Sequence, residues 1–131
     1  MIVIDASAII EALIGATPAP ELLTLVATRT LTAPQLLDIE VLSALRGLER
    51  RRTLVPGEAK DALDTYFALT IQRYEIAPVT ERIWSLRHAA SAHDASYIAL
   101  AEVIGAPLLT CDARLTSVNT PAQIIIPERG S

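Results

Sequence analysis

Three aspartates in the chain follow short apolar runs or open an apolar helix, which gathers carboxylates at one edge of a fold. Asp5 closes Ile2-Val3-Ile4, Asp112 lies just past Leu108-Leu109-Thr110, and Asp94 introduces Ala95-Ser96-Tyr97-Ile98. Like charges a few ångströms apart raise one another's pKa and cost stability unless a counterion joins them. A divalent cation removes that conflict, and hard oxygen ligands without His or Cys partners favour Mg2+ or Mn2+ over zinc. Such an ion keeps waters in its shell and takes phosphate as its natural partner. The chemistry in view is metal-assisted phosphodiester hydrolysis, with water activated and the leaving oxygen stabilised.

The elements that must position these acids follow from periodicity. Ile2–Ile4 and Leu108–Thr110 read as buried strands, with a brief strand near Leu31, another around Tyr74–Ala77 broken by Pro78, and a last one at Ile124–Ile126. Between them lie helical segments: Ala6–Ile14 ending at Gly15, Glu21–Thr28, a helix from Pro34 in its first turn to about Arg51, and Glu58–Ile71 after Pro56-Gly57. Thr80 is placed to cap Glu81–Ala90, and Asp94 to cap Ala95–Ile104. Short apolar strands alternating with longer helices imply a parallel sheet with crossover helices on both faces, a three-layer α/β/α domain over residues 1–131. Ligands of such sheets bind outside the carboxyl ends of the strands, where Asp5 and Asp112 fall and toward which Asp94 can point.

Composition narrows the class. Apolar residues make up 51% of the 131, against a net charge of −4, which excludes disorder. The longest apolar runs are interrupted by charges and fall short of the roughly 20 residues of a membrane span. No basic region precedes the first apolar run and Cys111 is the only cysteine, so the expectation is a cytoplasmic domain without a signal peptide, disulfide framework or Cys-based zinc site. Fifteen acids face eleven bases, all Arg but Lys60, so a polyanion must be met by a local Arg patch or a cation on carboxylates. Arg46 with Arg50-Arg51-Arg52 is the best such patch, although a charge run at a helix end is usually solvated.

Each candidate also has a structural reading. Asp5 and Asp94 can serve as helix caps and Asp112 as a turn residue; their joint placement is what argues for a site. On the helix through residues 36–48 the apolar stripe is Leu37, Val41, Ala44, Leu45 and Leu48. Asp38 and Glu40 flank that stripe on opposite sides, and periodicity does not choose between them. His88 and His93 are five apart, a poor spacing for two ligands on one helical face, though His93 beside Asp94 could touch substrate. Trp84, at helical spacing from Ile83 and Leu86, reads as core. Asp61 and Asp64 read as a solvated helix face, and Glu102 lies about 12 Å along its helix from Asp94, too far to share a metal.

At this point the residues resemble a known family. Met1-Ile2-Val3-Ile4-Asp5-Ala6-Ser7 is similar to the opening of the PIN-domain ribonucleases of the VapC toxin type. Ala33-Pro34-Gln35-Leu36-Leu37-Asp38-Ile39-Glu40 resembles that family's second motif, and His93-Asp94-Ala95 through Thr110-Cys111-Asp112-Ala113-Arg114 its third and fourth. The resemblance implies an acidic quartet of Asp5, Glu40, Asp94 and Asp112 that binds Mg2+ or Mn2+, with Asp5 and Asp94 on the main ion, and cleaves RNA. Ser7 matches a hydroxyl position that supports the first acid; Thr110, Arg46 and His93 complete the supporting or substrate-contacting candidates. It further implies a homodimer and a cognate VapB-type antitoxin whose C-terminal segment folds on the toxin, bringing a basic residue to the acids. Two alternatives stand beside it. An acid-cluster phosphohydrolase wants a second Asp at position 7, where Ser7 stands, and a phosphoacceptor wants a late Lys, whereas Lys60 is mid-chain. A non-catalytic PIN-like binding module would leave the presence of all four acids unexplained.

Overall fold

The computed structural model describes residues 1–128, so the last three positions of the single-domain reading lie outside the described residues. Five strands form one fully parallel sheet: β1 (Ile2–Ile4), β2 (Leu31–Pro34), β3 (Ile71–Tyr74), β4 (Leu108–Leu109) and β5 (Ile124–Ile125), in the order β3-β2-β1-β4-β5. The chain moves outward from β1 to β2 and β3, then returns to place β4 on the other side of β1. That reversal makes the crevice between the carboxyl ends of β1 and β4 the switch point where such sheets bind ligands. Asp5 follows β1 there, and Asp112 follows β4.

Helices flank the sheet in two groups. On one side α1 (Ala6–Ile14), α2 (Pro20–Thr28), α3 (Leu36–Arg50) and α4 (Pro56–Ala68) pack on one another. On the other, α6 (Ala92–Ile104) lies along β1, β2 and β4 with α5 (Thr80–Ser85) against it. The core is aliphatic: Val3, Ile4, Leu108 and Leu109 in the sheet, Ile9, Leu37 and Val41 on one group of helices, and Ile98 on the other are all fully buried. Two glycines have specific tasks. Gly105 ends α6 in the left-handed region at φ 66°, where an L side chain is strained. Gly15 has ordinary φ, but a Cβ there would stand 2.5 Å from the Glu11 carbonyl oxygen. Among the described residues no helix is long and apolar enough to cross a membrane.

Several expected boundaries move. Pro34 ends β2 rather than opening the helix; its nitrogen falls on the side away from β3, and Gln35 N continues the pairing by donating to Tyr74 O at 2.9 Å. Helix α4 ends at Ala68, because Leu69 turns extended, and Ile71 opens β3 instead of closing the helix. The strand expected at Tyr74–Ala77 therefore lies three residues earlier. Helix α5 stops at Ser85, and Thr80 does not cap it: the hydroxyl donates to Ala77 O. Trp84 is a further correction. It is 68% exposed, with the Arg87 guanidinium over its ring, because Ile83 and Leu86 already supply the face that α5 turns inward.

Candidate active site

Asp5 is the buried centre of the site. Its backbone leaves β1 and starts α1, and Oδ1 accepts from Ala8 N at 3.0 Å and from Ser7 Oγ at 2.7 Å. Oδ2 accepts from Thr110 Oγ1, at the end of β4. Each hydroxyl in turn accepts a backbone N–H: Ser7 from Cys111 at 2.9 Å and Thr110 from Asp112 at 3.0 Å. Each therefore has one proton, directed at Asp5, and their own 3.2 Å approach is a contact between acceptors. Burial nonetheless pushes the Asp5 carboxyl above its ordinary value; Thr110, Ser7 and Ala8 oppose that rise and the charge of Asp94 adds to it.

Asp94 does not cap α6. Ser91 does, its Oγ accepting from Asp94 N at 3.1 Å, so the helix begins at Ala92 and Asp94 is its third residue. A separate cap leaves the Asp94 carboxylate available to the crevice, beside the positive end of the helix dipole. It acts electrostatically on both Asp5 and Glu40.

Packing separates the two acids of α3 that periodicity left equal. Asp38 faces α4 and β3: it takes Nε and Nη2 of Arg73 at 2.9–3.1 Å and the Tyr66 hydroxyl at 2.6 Å. Burial would raise Asp38, but these bonds and the Arg73 charge outweigh it, and the carboxyl sits below its ordinary value. Glu40 faces the sheet edge, half-buried, with the Tyr97 hydroxyl donating to Oε1. Burial raises Glu40; Tyr97 and the nearby His93 oppose the rise, and the charges of Asp5 and Asp94 reinforce it. Asp5, Glu40 and Asp94 thus form one mutually repelling group, and among the described residues none of them is in an ion pair.

The remaining candidates divide. Asp112 caps the turn after β4 and is held by Arg114, whose Nε and Nη2 span both carboxylate oxygens at 2.5–3.1 Å and whose hydrogen bonds lower its pKa. His93 is exposed and within electrostatic range of Glu40. Arg46 lies elsewhere, in a groove between α3 and α4 with Leu42, Glu49 and Lys60. From the Arg run, Arg51 borders a cleft of about 430 Å³ that includes Ala6, Ser7, Leu48 and Cys111. Glu102 is occupied away from the site by Arg82 and Thr120, and Asp64 pairs with Lys60 on an exposed face. Sequence reasoning did not single out Tyr97 or Arg114. The available signal for Tyr97 was its place three residues after Asp94, on the same helical face.

The donor set suits a hard divalent cation: it is all oxygen, Asp5, Glu40 and Asp94 repel one another, and among the described residues none of those three is in a direct ion pair. Among the described residues no three His, Cys, Asp or Glu side chains converge closely enough to hold a metal as they stand. Arg114 occupies both carboxylate oxygens of Asp112, so Asp112 would have to leave it to take part in such a cluster.

A parallel sheet with acids gathered at its β1–β4 switch point defines a class of protein that comparison makes specific. The chain belongs to the PIN domain family, whose model matches residues 2–120. It is 42% identical over 119 residues, 91% of each chain, to Ribonuclease VapC9 of Mycobacterium tuberculosis. Among solved structures it is similar to PAE2754 from Pyrobaculum aerophilum, with a TM-score of 0.71 and 24% identity over 94% of this chain and 87% of that one. It is also similar in fold to a chain of VapBC2 from Rickettsia felis bound to a DNA fragment from their promoter, with a TM-score of 0.67 and 14% identity over 98% and 100%.

Proposed function

We propose that this protein is a metal-dependent endoribonuclease, the toxin half of a toxin–antitoxin pair, with Asp5 and Asp94 holding Mg2+ or Mn2+. The observation that carries it is the group Asp5, Glu40 and Asp94 at the switch point, within electrostatic reach of one another and, among the described residues, without a direct ion pair to any of the three. A bound divalent ion supplies charge stabilisation and a water of lowered pKa. The chain's own residues do the rest. Ser7, Thr110 and the Ala8 N–H fix Asp5; Glu40 accepts the proton of the attacking water; Asp112 completes the site when it leaves Arg114; Arg51 and His93 meet the phosphate backbone.

RNA as substrate is supported by the ribonuclease names of the relatives, and an antitoxin of the VapB type by the VapBC complex among the neighbours. A cytoplasmic location and a homodimer belong to the same reading. The exposed Ile39 and Leu42 on α3 and Phe67 on α4 offer apolar surface for assembly.

The test is to map RNA ends after incubating the purified chain with total RNA and Mg2+. Discrete internal ends, abolished by a chelator, are expected; RNA that stays intact overturns the proposal. Without RNA, Mg2+ at ten times its dissociation constant stabilises by about 1.4 kcal/mol, a rise in Tm of roughly 5 °C for a domain of this size. Arg114→Ala frees Asp112, and the Mn2+ concentration giving half the thermal shift falls roughly two- to fivefold, the scale of an exposed ion pair. An unchanged midpoint would show that Arg114 does not compete with the ion.

A further inference from the structure

Resting on the reading above, we infer that Tyr97 is the positioning residue that holds Glu40 in the acidic group, through the hydrogen bond from its hydroxyl to Glu40 Oε1. Glu40 stands on the flank of α3, half exposed, and repulsion from Asp5 and Asp94 drives its flexible side chain outward to water. Something must draw it in. An Arg or Lys would do so, but it would also cancel the negative charge that attracts a cation. A phenol orients the carboxylate and leaves its charge intact.

Tyr97 is built for that task. It is 1% exposed, anchored on α6 against the sheet, so the hydroxyl is delivered by a rigid ring with little freedom to lose. It lies three residues after Asp94, so one helical face presents both a carboxylate and the donor that organises a second one 57 positions away in sequence. Burial, then the bond to and charge of Glu40, push its ionisation far above the functional range, so the hydroxyl always donates. The same principle holds at Asp5, where every donor is a neutral hydroxyl or backbone N–H.

The test is Tyr97→Phe, which keeps the ring, measured on an oligoribonucleotide that the wild type cleaves. The expected result is a kcat about 10- to 100-fold lower, the range for loss of an outer-shell partner, with KM nearly unchanged. Without RNA, the Mn2+ concentration needed for half the thermal shift should rise. On a Glu40→Gln background, Tyr97→Phe should add no further loss, whereas a merely structural role would add its loss to both backgrounds. Wild-type kcat in Tyr97→Phe, or additive losses, overturns the inference. If Tyr97→Phe does not fold, Glu40→Asp carries the test, since it keeps the charge but withdraws it from the hydroxyl by one carbon–carbon bond. A kcat loss of that same size at unchanged Tm supports the inference, and wild-type kcat overturns it. Asp5→Asn run alongside separates the two failures: if it cleaves normally, the site assignment is wrong, and if it is inactive while Tyr97→Phe is not, only the role of Tyr97 falls.

Discussion

Asp5→Asn and Asp94→Asn should each lower RNA cleavage by at least about 10²-fold while leaving the fold intact, since even outer-shell losses at metal sites reach that scale. The two halves of the result come from the same electrostatics. Asp5 is 5% exposed and its carboxyl is raised above its ordinary value, first by burial, so ionisation there works against folding. The stability at issue is fully present below the unfolded pKa of about 3.8 and is lost as pH rises through the higher folded value. Removing the charge therefore holds or raises Tm at neutral pH, because Asn can still accept from Ser7 and Ala8, and the Thr110 hydroxyl can turn to accept from the new amide. At Asp94 the relief is smaller, since a charge in the first turn of α6 also interacts favourably with the helix dipole. Differential scanning calorimetry alongside the cleavage assay checks both halves. Expressed in cells, Asp5→Asn should no longer slow growth; a variant as toxic as the wild type would separate toxicity from nuclease chemistry.

The sequence made Asp5 legible through its placement past a buried strand beside other acids, since alone it could be a helix cap, a task it also performs for α1. Asp112 was legible for the same reason, at the neighbouring strand of the switch point. The errors at the end of α4 and the start of β3 share one cause. The segment Leu69–Tyr74 is apolar and β-branched enough to continue α4 or to begin a strand, and pairing with β2 decides it. Trp84 was misplaced because α5 is shorter than its periodicity suggested, which leaves the ring on the outer side of a six-residue helix. Asp94 was expected to cap its helix, but Ser91, three residues earlier, performs the capping and Asp94 stands in the first turn. The largest gap was the choice within α3. Local pattern contains nothing that separates Asp38 from Glu40, because the deciding groups, Tyr66 and Arg73 on one side and Tyr97 on the other, arrive from elements folded much later in the chain.

That separation gives the second large effect, in which two charge-removing substitutions two residues apart act on different properties. Glu40→Gln should lower cleavage about 10²-fold or more, as expected of a group that handles the reacting water, with Tm held or raised. Glutamine still accepts from Tyr97, and because Glu40 is raised first by burial, its charge opposes folding at neutral pH. Asp38→Asn should do the reverse. Its carboxylate is the shared acceptor of Arg73 and the fully buried Tyr66 hydroxyl, tying α3 to β3 and α4. Weakening these charge-assisted bonds costs about 1.5 kcal/mol, roughly 5 °C in Tm, with cleavage by the folded fraction little changed. The pH dependences also oppose one another. Asp38 lies below its ordinary value, so its stabilisation is present above the unfolded pKa and disappears as pH falls through the folded one, a loss that Asp38→Asn no longer shows. If Asp38→Asn instead abolished cleavage at full stability while Glu40→Gln remained active, Asp38 would be the functional acid of α3 and the positions of Tyr97 and Arg73 would have to be reinterpreted.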